Sequence, residues 1–224
     1  MGRIAIMQPY LLPYAGYFRL MVDVEALVLG DTQQFPRRGW VHRNRLVDDA
    51  GRLGWLTLPL APQPLGTPIR DLAWGQEAAL HLTRAMNRFA ATRRAGPQTA
   101  AVLAALRAPA VAPAALIEDL LRLVAAVLDL RTPILRQSDF DLPAGLRPVD
   151  QIAAICAAMG VRQYVNAPGG RALYDPADFR ARGLRLLFHP PHPGPATSIL
   201  QRLADEPAAQ IRAEILASAR EAAE

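Results

Sequence analysis

The first thirty residues constrain the fold more than any other stretch of the chain. Residues 3–8 (Arg-Ile-Ala-Ile-Met-Gln) form a short apolar run closed by Pro9. A run of that length, bounded by a proline, reads as a buried strand. Pro9 and Pro13 fix the path of a loop over residues 10–14. Residues 16–22 then read as a helix whose apolar residues are Phe18, Leu20, Met21 and Val22. A second apolar run, 26–30, ends in Gly30-Asp31 and reads as a second strand. Strand, loop, helix and strand in so few residues make a βαβ unit, and such units build parallel sheets.

An arginine-rich loop is expected over residues 31–45, then a strand over 55–60 and a proline-marked loop through Pro62, Pro64 and Pro68. Residues 69–74 read as a further short strand. Residues 76–130 read as helical. Their clearest piece is 114–129, where Leu116, Ile117, Leu120, Leu121, Val124, Val127 and Leu128 recur at helical spacing. Alternation then returns: strands at 134–137, 164–165 and 184–188, and helices at 149–159, 176–182 and 207–223. Gly160 suits the end of the first of these helices, and Asp175 suits the start of the second. The expected architecture is α/β, a Rossmann-like parallel sheet with a helical insertion. Its parts are an N-terminal βαβ half (1–75) with the candidate site, an insertion (76–130), and a C-terminal half (131–224) completing the same domain.

Composition removes several classes of chemistry. All 25 basic residues are arginine. Without lysine there is neither a Schiff-base lysine nor the lysine of a standard P-loop. The single cysteine, Cys156, excludes an intrachain disulfide and any multi-cysteine metal site. It falls on the apolar face of a helix and reads as a buried, inert thiol. His189-Pro-Pro-His192 has a spacing seen in metal sites, but its prolines forbid a helix and no third ligand is evident, so no metal is expected. The net charge of +5 fits a lysine-free, arginine- and alanine-rich coding bias, so no nucleic-acid partner is expected. No signal peptide or membrane segment is apparent, and a cytoplasmic location is expected.

Three clusters could carry chemistry. Gln8-Pro9-Tyr10 with Tyr14-Ala15-Gly16-Tyr17 sits where the first strand ends, and ligands of open parallel sheets bind at the carboxyl ends of strands. Gly16 would let a ligand approach the backbone. The second cluster is Asp31 with Gln34, followed by Arg37, Arg38, Trp40, His42, Arg43, Asn44 and Arg45. Arginine forks match phosphate or carboxylate. Both clusters follow neighbouring strands, so they are expected to face each other around a phosphate-bearing ligand. The third is Asn166-Ala167-Pro168-Gly169-Gly170, where a glycine pair after a strand can cradle an anion.

With these residues in view, the chain resembles the WbqC-like protein family. The resemblance rests on Ile4-Ala5-Ile6-Met7-Gln8-Pro9-Tyr10, Pro13-Tyr14-Ala15-Gly16-Tyr17-Phe18, Asp31, Gln34-Phe35, Arg38-Gly39-Trp40 and Arg43-Asn44-Arg45. It returns at Met159-Gly160, Tyr164, Gly169-Gly170, Tyr174-Asp175, Phe179 and Gly183, with an echo at Ser198-Ile199-Leu200. The proline-rich 190–195 loop departs from the family pattern. The resemblance implies a bacterial protein of O-antigen, other surface-polysaccharide or specialised-metabolite biosynthesis. A more distant similarity places Tyr14-Ala15-Gly16-Tyr17 and Gln34-Phe35 where adenylyl-transfer enzymes of the pantothenate synthetase kind carry His-x-Gly-His and Gln-Phe. It implies a nucleotidyltransferase-like fold, without the histidines' charge-stabilising role.

The expected function is therefore transfer of an acyl, aminoacyl or related group to an activated sugar or amine. Gln8, Tyr10, Tyr14, Tyr17 and Asp31 are the candidate catalytic groups, with Asp31 as general base. Pro9, Gly16, Gln34, Arg38, Trp40, Arg43, Asn44, Arg45, Gly169 and Gly170 are the candidate binding groups. No tightly bound cofactor is expected; an acyl thioester, a nucleotide or ATP with magnesium would enter as substrate. The partners expected are a phosphate-bearing small molecule or a carrier protein, and a homodimer is compatible with the sequence. The alternatives are nucleotidyl transfer or ATP-dependent ligation, and a non-catalytic carrier-protein-binding role.

Overall fold

The structure, a computed structural model, describes residues 2–109 and 111–219. Strand β1 (Arg3–Met7) runs into helix α1 (Ala15–Phe18), a 3-10 turn (Arg19–Met21) and strand β2 (Ala26–Leu29). The two strands pair in parallel, Ile4 beside Ala26 and Met7 beside Leu29. The expected βαβ unit is therefore present, although its helix is a single turn.

Between β2 and the next strand of the main sheet come a hairpin and four helices. The hairpin is β3 (Arg43–Val47) and β4 (Leu53–Thr57), antiparallel and in a separate two-stranded sheet. The helices are α2 (Ala78–Met86), α3 (Ala90–Arg93), α4 (Ala100–Arg107) and α5 (Pro113–Val127). Then follow β5 (Ile134–Arg136), α6 (Pro148–Ala158), β6 (Gln163–Asn166), α7 (Pro176–Arg180) and β7 (Arg185–Phe188). Helices α8 (Ile199–Asp205) and α9 (Ala208–Ala219) end the described chain.

The five parallel strands lie in the order β5-β2-β1-β6-β7. Numbered along the sheet alone, that is 3-2-1-4-5, an α/β Rossmann-like arrangement. The alternation of the strands explains the two layers. Ala5, Leu27 and Leu29 face one side, where α4, α5, α8, α9 and the hairpin contribute to one core. Ile4, Ile6 and Val28 face the other, against Ile152, Ile155 and Cys156 of α6 and Phe179 of α7. Period-two alternation with both faces covered is what a doubly wound sheet requires. The 116–128 stripe packs on the first side as its spacing implied, with Val127 partly buried and the others buried.

Three expectations need correction. Residues 43–45 are not loop: they open β3, because their partner strand β4 begins at Leu53 rather than at residue 55. Residues 69–74 are not a strand. Pro68 is extended, a 3-10 turn (Ile69–Asp71) follows, and Trp74 pairs with Leu60 in an isolated bridge. Helix α8 was not foreseen, since seven residues carry too little periodicity to be seen. The expected polar helix 207–223 is α9, with Ile211, Ile215 and Ala219 buried; residues 220–223 lie outside the described residues.

His189 follows β7 directly, is 2% exposed, and neither ring nitrogen has a partner among the described residues. Burial, with Arg19 nearby, pushes its pKa down to about 4. An unfolded histidine titrates near 6.5, so between the two values the unfolded chain binds a proton that the folded ring refuses. Stability is then full above about pH 6.5 and falls as pH drops towards 4. The expected loss from pH 7 to 4.5 is on the order of 2 kcal/mol from this ring alone. Urea unfolding of the protein and of His189→Leu at both pH values checks it. An equal pH slope in the two proteins would show that His189 is not the source.

Candidate active site

In the strand order, β2 lies on one side of β1 and β6 on the other. The chain therefore changes direction across the sheet between β1 and β6, and a crevice opens there at the carboxyl ends of the strands. A cavity of about 1190 Å³ occupies it. The ends of four strands supply its polar lining, and α6 with the residues before it supplies an apolar wall that includes Phe140, Leu142, Ile152 and Ile155.

From the end of β1 come Met7, Gln8, Tyr10, Tyr14 and Tyr17. The Tyr17 hydroxyl donates to the Gln8 carbonyl at 3.0 Å, which sets the chain as it leaves the strand. Tyr10 and Tyr17 pack edge to face, 6.0 Å between ring centres. Burial holds both phenols above their ordinary pKa, with Tyr14 adding to the effect on Tyr10. They are therefore neutral hydrogen-bond donors near neutral pH, not bases.

From the end of β6 come Asn166, Gly169 and Gly170, with Tyr164 and Tyr174 beneath. Asn166 Oδ1 accepts from the Ala167 N–H at 2.7 Å, which leaves Nδ2 as the free end of the amide. Gly170 is required here. A Cβ on it would sit 2.3 Å from Asn166 Nδ2, well inside contact distance. Gly170 thus seats the Asn166 amide against the 3-10 turn (Pro168–Ala172), and Gly169 beside it lines the cavity.

From the ends of β2 and β5 come Thr32, Gln33, Gln34, Gln137 and Ser138. Asp31 is not in the lining. It is 5% exposed, and its carboxylate accepts from the Ser138 N–H (3.0 Å) and the Ser138 hydroxyl (2.6 Å). Its contact with the cavity runs through Ser138.

The arginines expected around the ligand stand outside the cavity. In β3 successive side chains point to opposite faces, so buried Asn44 and Leu46 turn Arg43 and Arg45 outward. Arg43 donates to the Gly39 carbonyl at 3.1 Å and the Arg38 carbonyl at 2.8 Å, and its guanidinium lies 4.4 Å from the centre of the Trp55 ring. Arg45 lies 4.7 Å from the same ring and 5.9 Å from that of Trp40. Arg38 is exposed. Trp40 joins the two regions. It lines the cavity, lies 5.6 Å from Tyr10 and 5.1 Å from Trp55, and is 43% exposed. A strip of aromatic rings and arginines thus leaves the cavity mouth along the hairpin. Arg70 is the one arginine among the lining residues, and its side chain is half exposed beside Asp71.

Asn44, Gly16 and Pro9 support the site without lining it. Asn44 Nδ2 donates to the carbonyls of Leu11 (3.1 Å) and Leu12 (2.5 Å). Leu12 has φ +46°, a left-handed conformation costly for a branched side chain, and the Ser198 hydroxyl also donates to its carbonyl. These bonds hold the loop that carries Tyr10 and Tyr14. Gly16 makes room for protein, not ligand: a Cβ there would meet the Tyr14 ring at 2.2 Å and His192 at 2.8 Å. Pro9 is buried between Gln8 and Tyr10.

Sequence reasoning missed Gln137, Ser138 and Gln151 as site residues. The available signal was position: Gln137 and Ser138 follow a strand end, and strand ends face the crevice. No lining residue is a carboxylate, histidine or cysteine. Among the described residues no group of three His, Cys, Asp or Glu side chains is placed to hold a metal. No helix among them is long and apolar enough to cross a membrane.

The profile of the WbqC-like protein family matches residues 8–196. An uncharacterized protein of Mycobacterium tuberculosis, Rv1507c, is 27% identical over 192 residues, which cover 84% of this chain and 82% of that protein. No solved structure matches the chain.

Proposed function

The chain belongs to the WbqC-like protein family, and from that premise we propose that it is a transferase moving an activated acyl or aminoacyl group onto an amine or an amino sugar, in cytoplasmic biosynthesis of surface polysaccharides or specialised metabolites. One observation carries the reading: a large cavity at the switch point of the sheet, whose polar lining is amides, phenols, the hydroxyls of Thr32 and Ser138, and Arg70, with no carboxylate, histidine or thiol among the described residues. Such a lining has no thiol, and no carboxylate or imidazole in direct reach of a substrate to act as a base. It suits an electrophile that arrives already activated, as a thioester or acyl-adenylate. An amine then attacks the carbonyl, the N–C bond forms, and the C–S or C–O bond breaks. The departing thiolate or phosphate takes the electron pair, and the proton that the amine loses passes to that leaving group or to water. The protein's contribution is to orient the two reactants and to donate hydrogen bonds to the carbonyl oxygen as charge develops. Asn166 Nδ2, Gln8 and the phenols of Tyr10 and Tyr14 are the donors assigned to that task, while Tyr17, whose one proton goes to the Gln8 carbonyl, holds the chain that carries them.

The phosphate end of the donor is assigned to the strip outside the cavity. Trp40 offers a ring to a base or pantetheine chain, and Arg38, Arg43 and Arg45 offer guanidinium groups to phosphates. Nucleotidyl transfer fits less well, because no carboxylate lines the cavity to hold the magnesium of a triphosphate.

The test is a mass-spectrometric search for amide products from acyl- and aminoacyl-CoA with amino sugars and amino acids. Trp40→Ala and Arg45→Ala are expected to raise KM for the CoA thioester about tenfold, roughly 1.4 kcal/mol. Neither should change KM for the matching N-acetylcysteamine thioester, which lacks the phosphates. No amide product from any donor, or equal effects on long and truncated donors, would remove this reading.

A further inference from the structure

We propose that the corner of the cavity formed by Gln137 and Ser138 is a subsite for a primary amino group, the nitrogen of the acceptor substrate. The proposal deepens the group-transfer reading and rests on it in taking that amine as the acceptor. Two hydrogen-bond chains, read from their fixed ends, determine what the corner offers.

The first chain begins at the Leu146 carbonyl, which can only accept. Gln151 Nε2 donates to it at 2.9 Å, so the nitrogen end of the Gln151 amide is committed there. Gln151 Oε1 then faces Gln137 and accepts from Gln137 Nε2 at 2.7 Å. Turning either amide over would break this order, so the orientation of both is dictated by chemistry. What remains is Gln137 Oε1, an acceptor with no partner among the described residues, on a side chain 3% exposed that lines the cavity.

The second chain begins at the Asp31 carboxylate, which also can only accept. The Ser138 hydroxyl donates to Asp31 Oδ2 at 2.6 Å and so has given up its single proton. Ser138 Oγ presents only lone pairs to the cavity it lines. Two consecutive residues therefore each show an acceptor, beside the second N–H of Gln137 Nε2, with a buried carboxylate behind them.

The neighbouring charges do not fill this demand. Arg136 is paired with Glu118 at 2.5 Å, Asp139 accepts from the Arg136 N–H at 2.9 Å, and Arg70 is half exposed at the rim beside Asp71. Carboxylate and phosphate groups of a ligand would meet lone pairs and the Asp31 charge. A hydroxyl has one proton for two acceptors. A primary amine has enough N–H groups for both at once.

The experiment follows the backbone and side-chain amide signals of the full chain by NMR during titration with matched probes. One set is glucosamine, glucose and N-acetylglucosamine; the other is glycinamide, acetamide and N-acetylglycinamide. The amine of at least one set is expected to shift the Gln137 side-chain and Ser138 backbone signals, binding at least tenfold more tightly than its two analogues. Which set responds distinguishes an amino-sugar from an amino-acid source. Gln137→Met should abolish the preference. Asp31→Asn keeps the shape but can donate to Ser138 Oγ, which frees the hydroxyl proton to point into the cavity; the preference should move to the N-acetyl or hydroxyl analogue. Analogues binding as well as the amine, no shift at Gln137 and Ser138 with any amine, or a preference unchanged in a folded variant would overturn the subsite. The group-transfer reading is judged separately, by whether acyl thioesters shift the Asn166 and Gly170 signals.

Discussion

Asn166→Leu is expected to lower kcat/KM for amide formation by about 10²–10³, the usual cost of one oxyanion donor. The Asn166 amide is held at its oxygen by the Ala167 N–H, which leaves one end free. Leucine keeps the volume and removes the donor. Gly170→Ala provides an independent check, because it leaves Asn166 chemically intact. Its added Cβ would lie 2.3 Å from Asn166 Nδ2, so the amide has to swing away. Both variants should lose activity together while unfolding within about 1 kcal/mol of the parent, the worth of one hydrogen bond. Steady-state kinetics with the best donor, beside urea unfolding, makes the comparison. Full activity in Gly170→Ala would mean that the position of the Asn166 amide is irrelevant to the reaction.

Arg202→Leu is expected to cost about 3 kcal/mol of folding stability, at the low end for breaking a buried ion pair. Arg202 lies on α8 at 4% exposure. It donates to Glu206 at 2.7 and 2.6 Å and to Glu214 of α9 at 2.9 Å. Glu214 also lies 2.9 Å from His192 in the proline-rich loop. Removing the arginine leaves two carboxylates, each about a quarter exposed, facing an apolar side chain. The figure stays at the low end because water still reaches those carboxylates. Adding Glu206→Gln should recover part of the loss, since it removes one of the two orphaned charges. A loss below about 1 kcal/mol in the single variant would show that the network contributes no more than an exposed pair.

The stability and the chemistry of this chain are linked through one loop. His192 packs against Tyr14 with 5.6 Å between ring centres, and Ala196 lines the cavity. The loop that carries them is also held by Arg19, which donates to the Pro190 carbonyl at 2.7 Å. The segment that departs from the family pattern thus borders the site without supplying a charged group to it.

Much of the sheet was legible from local pattern. The apolar runs of β1, β2 and β7 carry their own signal, and Pro9 and Gly30 mark where two of these strands stop. The placement of the site at the end of β1 followed from that, since strand ends converge wherever a parallel sheet forms. Gln8, Tyr10, Tyr14, Tyr17, Gln34, Trp40, Gly169 and Gly170 do line the cavity together. The arginines did not follow from local pattern. Composition shows that residues 37–45 are basic but not which way they face, and facing was decided by a hairpin partner at Leu53–Thr57 that turns Asn44 inward.

The sequence by itself determined the βαβ start, the strand-end position of the residues that line the cavity and the absence of lysine chemistry. These depend on neighbours within a few residues, or on composition. Only the tertiary structure decided what the cavity offers to a ligand. Asp31 is tied to Ser138 across 107 positions, and Gln137 to Gln151 through an amide whose orientation a carbonyl at Leu146 dictates. Whether a side chain donates, accepts or is already spent depends on partners brought together by the fold, and a polar residue read alone carries both possibilities.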